Sequence, residues 1–305
     1  MPRVSVIIAA YNAEEFIREA LESAWAQTYR DFEIVVSDDA STDGTAALVE
    51  VVASEISLRL VRAVRNGGTG QARNAAITES SGELLAFLDA DDLWEVDFLE
   101  SLVALYDEAR AAGRNPGIVT CDALLLDSNG VSPSTYQASS GVPDNLTLAQ
   151  LLRFNTVYGG VLVARTAVEG AGGIDPTLRG SDDYDLWIRI LELGYTVVAS
   201  TQPLAIYRQR HDSLSHNLGA MNASLELLYS RAIERGRLRP AELRIVKRQL
   251  RLHRAIGAVA TPDGISAART LRSLPLIAWA CLENYDRMPF YVRRFVARNR
   301  TSPIA

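Results

Sequence analysis

Glu83-Leu84-Leu85-Ala86-Phe87-Leu88-Asp89-Ala90-Asp91-Asp92-Leu93-Trp94 is the stretch from which the fold is read. An apolar run ends in three carboxylates within four residues. A run of this length and content reads as a buried strand. The acids then stand at its carboxyl end, where open α/β sheets bind ligands. Carboxylates this close repel one another unless a cation or hydrogen bonds compensate. Hard oxygen ligands suit Mg²⁺ or Mn²⁺, ions often shared with substrate phosphates. The competing reading is a solvated loop whose first acid caps a helix starting near Trp94.

Upstream, residues 4–10 read as a strand and Tyr11-Asn12 as a turn. Residues 14–27 place Phe16, Ile17, Ala20, Leu21, Ala24 and Trp25 at the spacing of an amphipathic helix. A second strand over 32–36 ends in Ser37-Asp38-Asp39-Ala40-Ser41-Thr42-Asp43-Gly44, a helix covers 45–54 and a third strand 58–64. This alternation predicts a parallel, doubly wound α/β sheet. No G-x-G-x-x-G follows the first strand, so the dinucleotide fingerprint is missing. Asp39 is instead placed to accept from a base N–H or a ribose hydroxyl, while Ser41, Thr42 or Asp43 caps the next helix. In Arg65-Asn66-Gly67-Gly68-Thr69-Gly70-Gln71-Ala72-Arg73-Asn74 the glycines permit close backbone approach. The helix expected from about Gln71 offers N–H groups toward a nucleotide or its diphosphate, with Arg73 and Asn74 in its first turns. The plain alternative is a glycine turn before an ordinary helix.

Downstream, the pattern predicts a helix over 95–112, a strand over 117–127 and a Ser-, Pro- and Gly-rich loop over 128–145 that suits an acceptor-side lid. A short helix over 147–154 and a strand over 160–164 follow. The helix after Gly180-Ser181 carries Asp182 and Asp183 at its N-terminal end and sets Leu186, Ile190 and Leu193 on one face. Carboxylates there complement the helix dipole. They are also placed to serve as a general base. Residues 195–200 read as a strand and 204–208 as a separate extended piece. His211 follows among Arg208, Arg210 and Ser213, a set suited to phosphate.

The 305 residues are enough for one large α/β domain with an appendage, and 48% hydrophobic residues support a sizeable core. Cys121 and Cys281 have no metal spacing, which argues against zinc and a disulfide scaffold. The first strand begins at once, with no basic n-region, and no apolar run reaches the roughly 20 residues that span a bilayer. A cytoplasmic enzyme is the expectation. Charge is divided unevenly along the chain. Residues 1–215 hold 15 basic and 31 acidic side chains, a net of −16, and residues 216–305 hold 16 and 6, a net of +10. From 218 to 260 apolar residues recur at helical spacing. After Pro289, Tyr291, Val292, Phe295 and Val296 share a face opposite Arg294 and Arg298. Such a basic amphipathic segment suits peripheral contact with the inner face of the cytoplasmic membrane. A helical cap on the enzyme domain or an oligomer contact is the alternative.

In order along the chain, residues 4–12, 36–45 with their Asp-Asp-x-Ser-x-Asp core, 70–74, 87–92, 182–189 and 207–215 resemble the inverting family 2 glycosyltransferases of GT-A fold, over about residues 3–216. The resemblance implies a GT-A domain over 1–216, with a mostly parallel sheet, and a basic helical C-terminal extension over 217–305. It implies that Ala9, Tyr11 and Asp39 line the nucleotide base, that Arg73 lies by the nucleotide sugar and that Asp89 lies on the sugar or ribose side. Asp91 would bind Mn²⁺ or Mg²⁺, and His211 would help hold the metal or diphosphate. Asp183 would be the catalytic base, with Asp182 standing where the family usually has Glu. The implied reaction moves a hexosyl or N-acetylhexosaminyl group, with inversion, from a UDP-linked donor to a saccharide or lipid-linked saccharide acceptor. The setting would be cell-envelope or exported polysaccharide synthesis, with no nucleic acid partner. The alternatives are a sugar transferase acting on a polyprenyl phosphate and an inactive nucleotide-binding homologue serving as a partner subunit. The presence of Asp39, Asp91 and Asp183 together favours an enzyme. A nucleotidyltransferase would carry a glycine-rich basic loop where Ala9-Ala10-Tyr11-Asn12 stands.

Overall fold

The computed structural model describes residues 1–127, 130–135, 144–157, 160–210, 218–261 and 264–265. The chain divides into two compact units, Met1–Thr147 with Thr156–Arg210, and Leu148–Asn155 with His211–Ala305. In chain order the first unit carries β1 (Val4–Ala10), α1 (Ile17–Trp25), β2 (Phe32–Asp38), α2 (Thr45–Ala53), β3 (Arg59–Arg62), α3 (Thr69–Thr78), β4 (Leu84–Asp89), β5 (Leu93–Trp94), α4 (Phe98–Ala111), β6 (Pro116–Asp127) and β7 (Gly130–Thr135). After α5 (Leu148–Leu151), which belongs to the second unit, it continues with β8 (Val161–Ala164), α6 (Arg165–Gly170), α7 (Asp182–Glu192) and β9 (Thr196–Arg208). The rest of the second unit holds α8 (Leu218–Glu234), α9 (Pro240–Val259), β10 (Ala260–Thr261) and β11 (Gly264–Ile265).

The large sheet has the order β3-β2-β1-β4-β8-β6-β9-β5, with β7 beside β6. Its first four strands are parallel. Their near-continuous apolar sequences follow from burial on both faces. Val4, Val6, Ile8, Leu84, Ala86 and Leu88 share one core with Ile17, Leu21, Phe98 and Leu102. On the other side Phe87 lies 6.1 Å from Trp187, ring to ring. Beyond β4 the sheet is mixed. β8 is antiparallel to both β4 and β6, and β9 is parallel to β6. The chain leaves β1 for β2 on one side and returns as β4 on the other. This topological switch opens a crevice at the carboxyl ends of β1 and β4, the ligand-binding position of such sheets. In register there, Ala9 lies beside Asp89 and Ala10 beside Asp38.

Several local expectations are corrected. The helix expected from residue 95 starts at Phe98, because Leu93 and Trp94 form a short strand paired with Ile206 and Ala205. The two pieces expected over 195–208 are one strand, whose register to β6 shifts near Pro203, where the ladder tolerates a proline. Leu193 is not on the buried face of α7, since it ends the helix and stays 38% exposed. The helical stretch expected over 218–260 is two helices separated at Gly236, and α6 was not anticipated. Residues 130–135 of the expected lid are instead strand β7, antiparallel to β6, while its segments 128–129 and 136–143, His211, and the segment beyond residue 265 lie outside the described residues.

In the second unit, buried His253 stacks on Tyr229 at 5.5 Å and its Nδ1 lies 2.8 Å from Asn222 Oδ1. Burial pushes its imidazole down to about 4. No helix among the described residues is long and apolar enough to cross a membrane.

Candidate functional site

The three acids ending β4 have three different surroundings. Asp89 accepts from Arg73 Nη2 at 2.5 Å. Arg73 projects from α3, is itself buried, and reaches Asp182 Oδ2 with Nη1 at 3.4 Å. Its guanidinium carbon lies 5.8 Å from the Phe87 ring centroid. One buried cation thus joins the end of β4 to the start of α7. Asp183 stands next to this bridge. Its Oδ1 accepts from the Tyr184 N–H at 2.6 Å. Burial, then the neighbouring Asp182 charge, push its carboxyl up to about 7, with Arg73 pulling the other way. Burial also raises Asp182, again opposed by Arg73.

The position of α7 is set from α3. Asn74 Nδ2 donates to the Ile174 carbonyl at 2.7 Å, and its Oδ1 accepts from the Ile174 N–H at 3.0 Å. A Cβ on Gly70 would lie 3.0 Å from Ile174 Cγ2 and 3.3 Å from Asp182 Oδ2, so only glycine lets the two elements meet this closely. Arg189 closes the other side of the turn. It pairs with Asp185 at 2.6 Å and donates to the Ala171 and Gly173 carbonyls.

Asp91 and Asp92 separate by role. Asp92 is buried and its Oδ1 accepts from the Arg208 N–H at 2.9 Å, which ties β9 to the acidic turn. Asp91 keeps a partly exposed carboxylate, 3.4 Å from Arg210 Nη1. Burial and the Asp89 charge raise its carboxyl above the usual range, while Arg210 opposes them. Arg208 donates from Nε to the Asp91 carbonyl at 2.9 Å and from Nη2 to Glu19 at 2.6 Å. Among the described residues no three His, Cys, Asp or Glu side chains converge on one point. The partly exposed Asp91 carboxylate suits a hard cation that takes its other ligands from water and substrate phosphates.

At the end of β2, Asp39 is buried, and its Oδ1 and Oδ2 accept from the Gly67 and Gly68 N–H groups at 2.8 and 2.7 Å. Gly68 has φ +87°, a left-handed conformation suited to glycine. A cleft of about 310 Å³ opens beside Asp39, lined by Ser37, Ala63, Arg65, Gln71 and Ala75 among others. Buried Ser37 Oγ, on its wall, has no hydrogen-bond partner among the described residues. Tyr11, just past β1, is 48% exposed. The neighbouring polar residues are structural. Asn12 Oδ1 accepts from the Thr42 N–H, Asp43 Oδ1 from the Thr45 N–H, and Glu14 Oε2 from the Gly44 N–H, which staples the loops after β1 and β2 together.

The sequence candidates thus fall into linked groups. Arg73, Asp89, Asp182 and Asp183 form one, Asp91 lies beside it, Ala9 adjoins Asp89, and Asp39 holds the glycine loop. Two residues contribute differently from their reading in the sequence: the close approach that Gly70 permits is to Ile174 and Asp182, and Asn74, expected near the nucleotide, ties α3 to the Ile174 backbone.

The profile of "Glycosyl transferase family 2" matches residues 5–128. Bacillus subtilis TuaG, provisionally named a teichuronic acid biosynthesis glycosyltransferase, is 31% identical over 218 residues, 71% of this chain and 82% of TuaG. Escherichia coli WfaP, named UDP-Glc:alpha-D-GlcNAc-diphosphoundecaprenol beta-1,3-glucosyltransferase, is 28% identical over 71% of this chain and 81% of its own. Among solved structures, the Pyrobaculum calidifontis mannosyltransferase PcManGT, in complex with GDP-Man and Mn²⁺, superposes with a TM-score of 0.64 at 23% identity, over 98% of this chain and 87% of that one.

Proposed function

The chain belongs to the family 2 glycosyltransferases and has the GT-A fold, and on that premise we propose that it transfers a hexosyl or N-acetylhexosaminyl group, with inversion, from a UDP-linked sugar to a hydroxyl of a saccharide or lipid-linked saccharide. The setting is envelope or exported polysaccharide synthesis, in keeping with the names of TuaG and WfaP. The observation that carries the reading is the Arg73 bridge, which sets Asp183 beside the acid end of β4. Inversion by direct attack needs one base and no covalent intermediate, and the base must lie within reach of the acceptor hydroxyl. Asp183 suits this better than Asp182. Asp182 is buried against Gly70 and committed to Arg73, whereas Asp183 is partly exposed. Its raised pKa also matches proton abstraction near neutrality.

Asp89 lies on the sugar or ribose side, and Arg73 fixes its orientation. Ala9, Tyr11 and Asp39 face the nucleoside, where Asp39 both holds the Gly67–Gly68 loop and lines the cleft for the base. Asp91 would hold Mn²⁺ or Mg²⁺, with His211 assisting. A bound cation there supplies charge neutralisation to the departing diphosphate. Contact with an anionic membrane through the basic C-terminal part would bring the enzyme to a lipid-linked acceptor. The deciding experiment titrates UDP, GDP and their sugar conjugates into wild type and Asp91→Ala, with and without Mn²⁺. Cation-dependent binding of one nucleoside diphosphate, lost in Asp91→Ala, supports the donor reading. A folded wild type that binds none of them overturns it.

A further inference from the structure

Phe16 stands one residue before α1, and its ring meets two cations. The guanidinium carbons of Arg208 and Arg210 lie 5.0 and 4.6 Å from its centroid. An aromatic ring attracts a cation at such distances through its quadrupole. Two positive groups on one ring repel each other, so each needs a further anchor. Arg208 has firm ones, at the Asp91 carbonyl and Glu19. Among its contacts Arg210 makes a longer ion pair with the Asp91 carboxylate, at 3.4 Å. That carboxylate is the one assigned above to the divalent cation, and a cation on it would repel a guanidinium so close by.

We propose that Phe16 is a positioning residue, the platform on which Arg210 pivots from the Asp91 carboxylate to the donor's diphosphate when a divalent cation takes Asp91. The inference rests on the nucleotide-diphosphate reading of the site. The exchange replaces one charge-assisted contact with another, and the ring keeps the guanidinium within reach of both. Phe16 is only partly buried while its neighbour Ile17 is fully buried, which leaves the ring available to the arginines. Arg210 thus competes with the cation when no nucleotide is present and assists it when the diphosphate arrives.

The test uses the full chain and calorimetric titration of Mn²⁺ alone, of uridine, and of UDP with Mn²⁺. The proteins are wild type, Phe16→Leu, Phe16→Tyr and Arg210→Gln, each checked by thermal melting. Phe16→Leu keeps apolar bulk and loses the π face. It is expected to weaken UDP about tenfold, with uridine affinity unchanged, and Phe16→Tyr is expected to restore it. Arg210→Gln is expected to bind Mn²⁺ alone more tightly than wild type and UDP less tightly, two shifts of opposite sign that a general loss of structure would not give. Phe16→Leu with wild-type UDP affinity, or Arg210→Gln with no gain toward Mn²⁺ alone, overturns the proposal. If Phe16→Leu fails to fold, the Arg210→Gln titrations decide. If wild type takes GDP instead, GDP and guanosine replace UDP and uridine. Wild type that binds no nucleotide overturns the donor reading itself.

Discussion

Asp183 carries two consequences that pull in opposite directions. As the proposed base it must be ionised, and burial with the Asp182 charge pushes its carboxyl up to about 7. Transfer, measured as kcat/KM, is therefore expected to rise with pH up to about 7 and then level. Asp183→Asn should lower kcat by about 10²- to 10⁴-fold, the usual contribution of a positioned base, with donor affinity unchanged. Since the Asp182 charge helps to raise Asp183, Asp182→Asn should move the acid limb of the profile to lower pH, and a limb that stays in place would argue against the assignment. The stability sign follows by linkage. A carboxyl raised on folding binds more protons in the native state between its unfolded pKa of 3.8 and about 7, so it costs stability as pH rises through that window. Asp183→Asn should thus melt higher than wild type at pH 8, by about 2–4 °C per kcal/mol relieved. The sequence singles out Asp183, Asp91 and Asp89 as candidates because acids at strand and helix ends are legible. Residue type and spacing do not separate Asp91 from Asp92, and the family resemblance alone singles out Asp91. That distinction depends on Arg208, 116 positions away, whose backbone N–H takes up the Asp92 carboxylate.

At the scale of elements, the proposed catalytic arrangement depends on how α3 meets the start of α7. Gly70 and Asn74 make that junction. Gly70→Ala would drive a methyl group to 3.0 Å from Ile174 Cγ2 and 3.2 Å from Pro176 Cα, and the loop ahead of α7 would have to yield. Overpacking of this kind costs about 1–3 kcal/mol. Urea unfolding should register that loss, and kcat should fall with little change in donor affinity, because Asp182 and Asp183 move with the loop. Asn74→Ala leaves the Ile174 N–H and carbonyl without their partner and should cost a similar 1–3 kcal/mol or so. Equal kcat in both variants and wild type would show that α7 is positioned some other way. The parallel half of the sheet was legible, since runs such as Val4–Ala10 and Leu84–Asp89 are apolar throughout. The mixed half was not. β5 is two residues long, β9 contains the polar stretch around Gln202 with Pro203, and strand direction at β8 is decided by its neighbours β4 and β6 and not by its own four residues.

For the whole molecule, the separation of charge has its structural counterpart in the second unit. α9 buries Val246, Leu250 and His253, and on the opposite side exposes Arg244, Lys247, Arg251 and Arg254. Arg254 is paired with Glu226, and the acid nearest the start of α9, Glu242, is buried and bonded to Arg239. Arg244, Lys247 and Arg251 have no salt bridge recorded among the described residues, so the face presents unneutralised positive charge over about three turns. Each such side chain near an anionic bilayer contributes about 1 kcal/mol, and salt screens the attraction. The chain is therefore expected to sediment with vesicles rich in phosphatidylglycerol and to leave them as salt rises. Changing Arg244, Lys247 and Arg251 together to Gln should weaken this by about 100-fold, because three such terms sum to about 3 kcal/mol and each 1.4 kcal/mol is a tenfold change. Turnover of a soluble acceptor should be unaffected, whereas turnover of a lipid-linked acceptor in vesicles should fall with binding. Equal sedimentation of wild type and the triple variant would assign the charge to the solvated face of an ordinary helix and leave the acceptor to be met in solution.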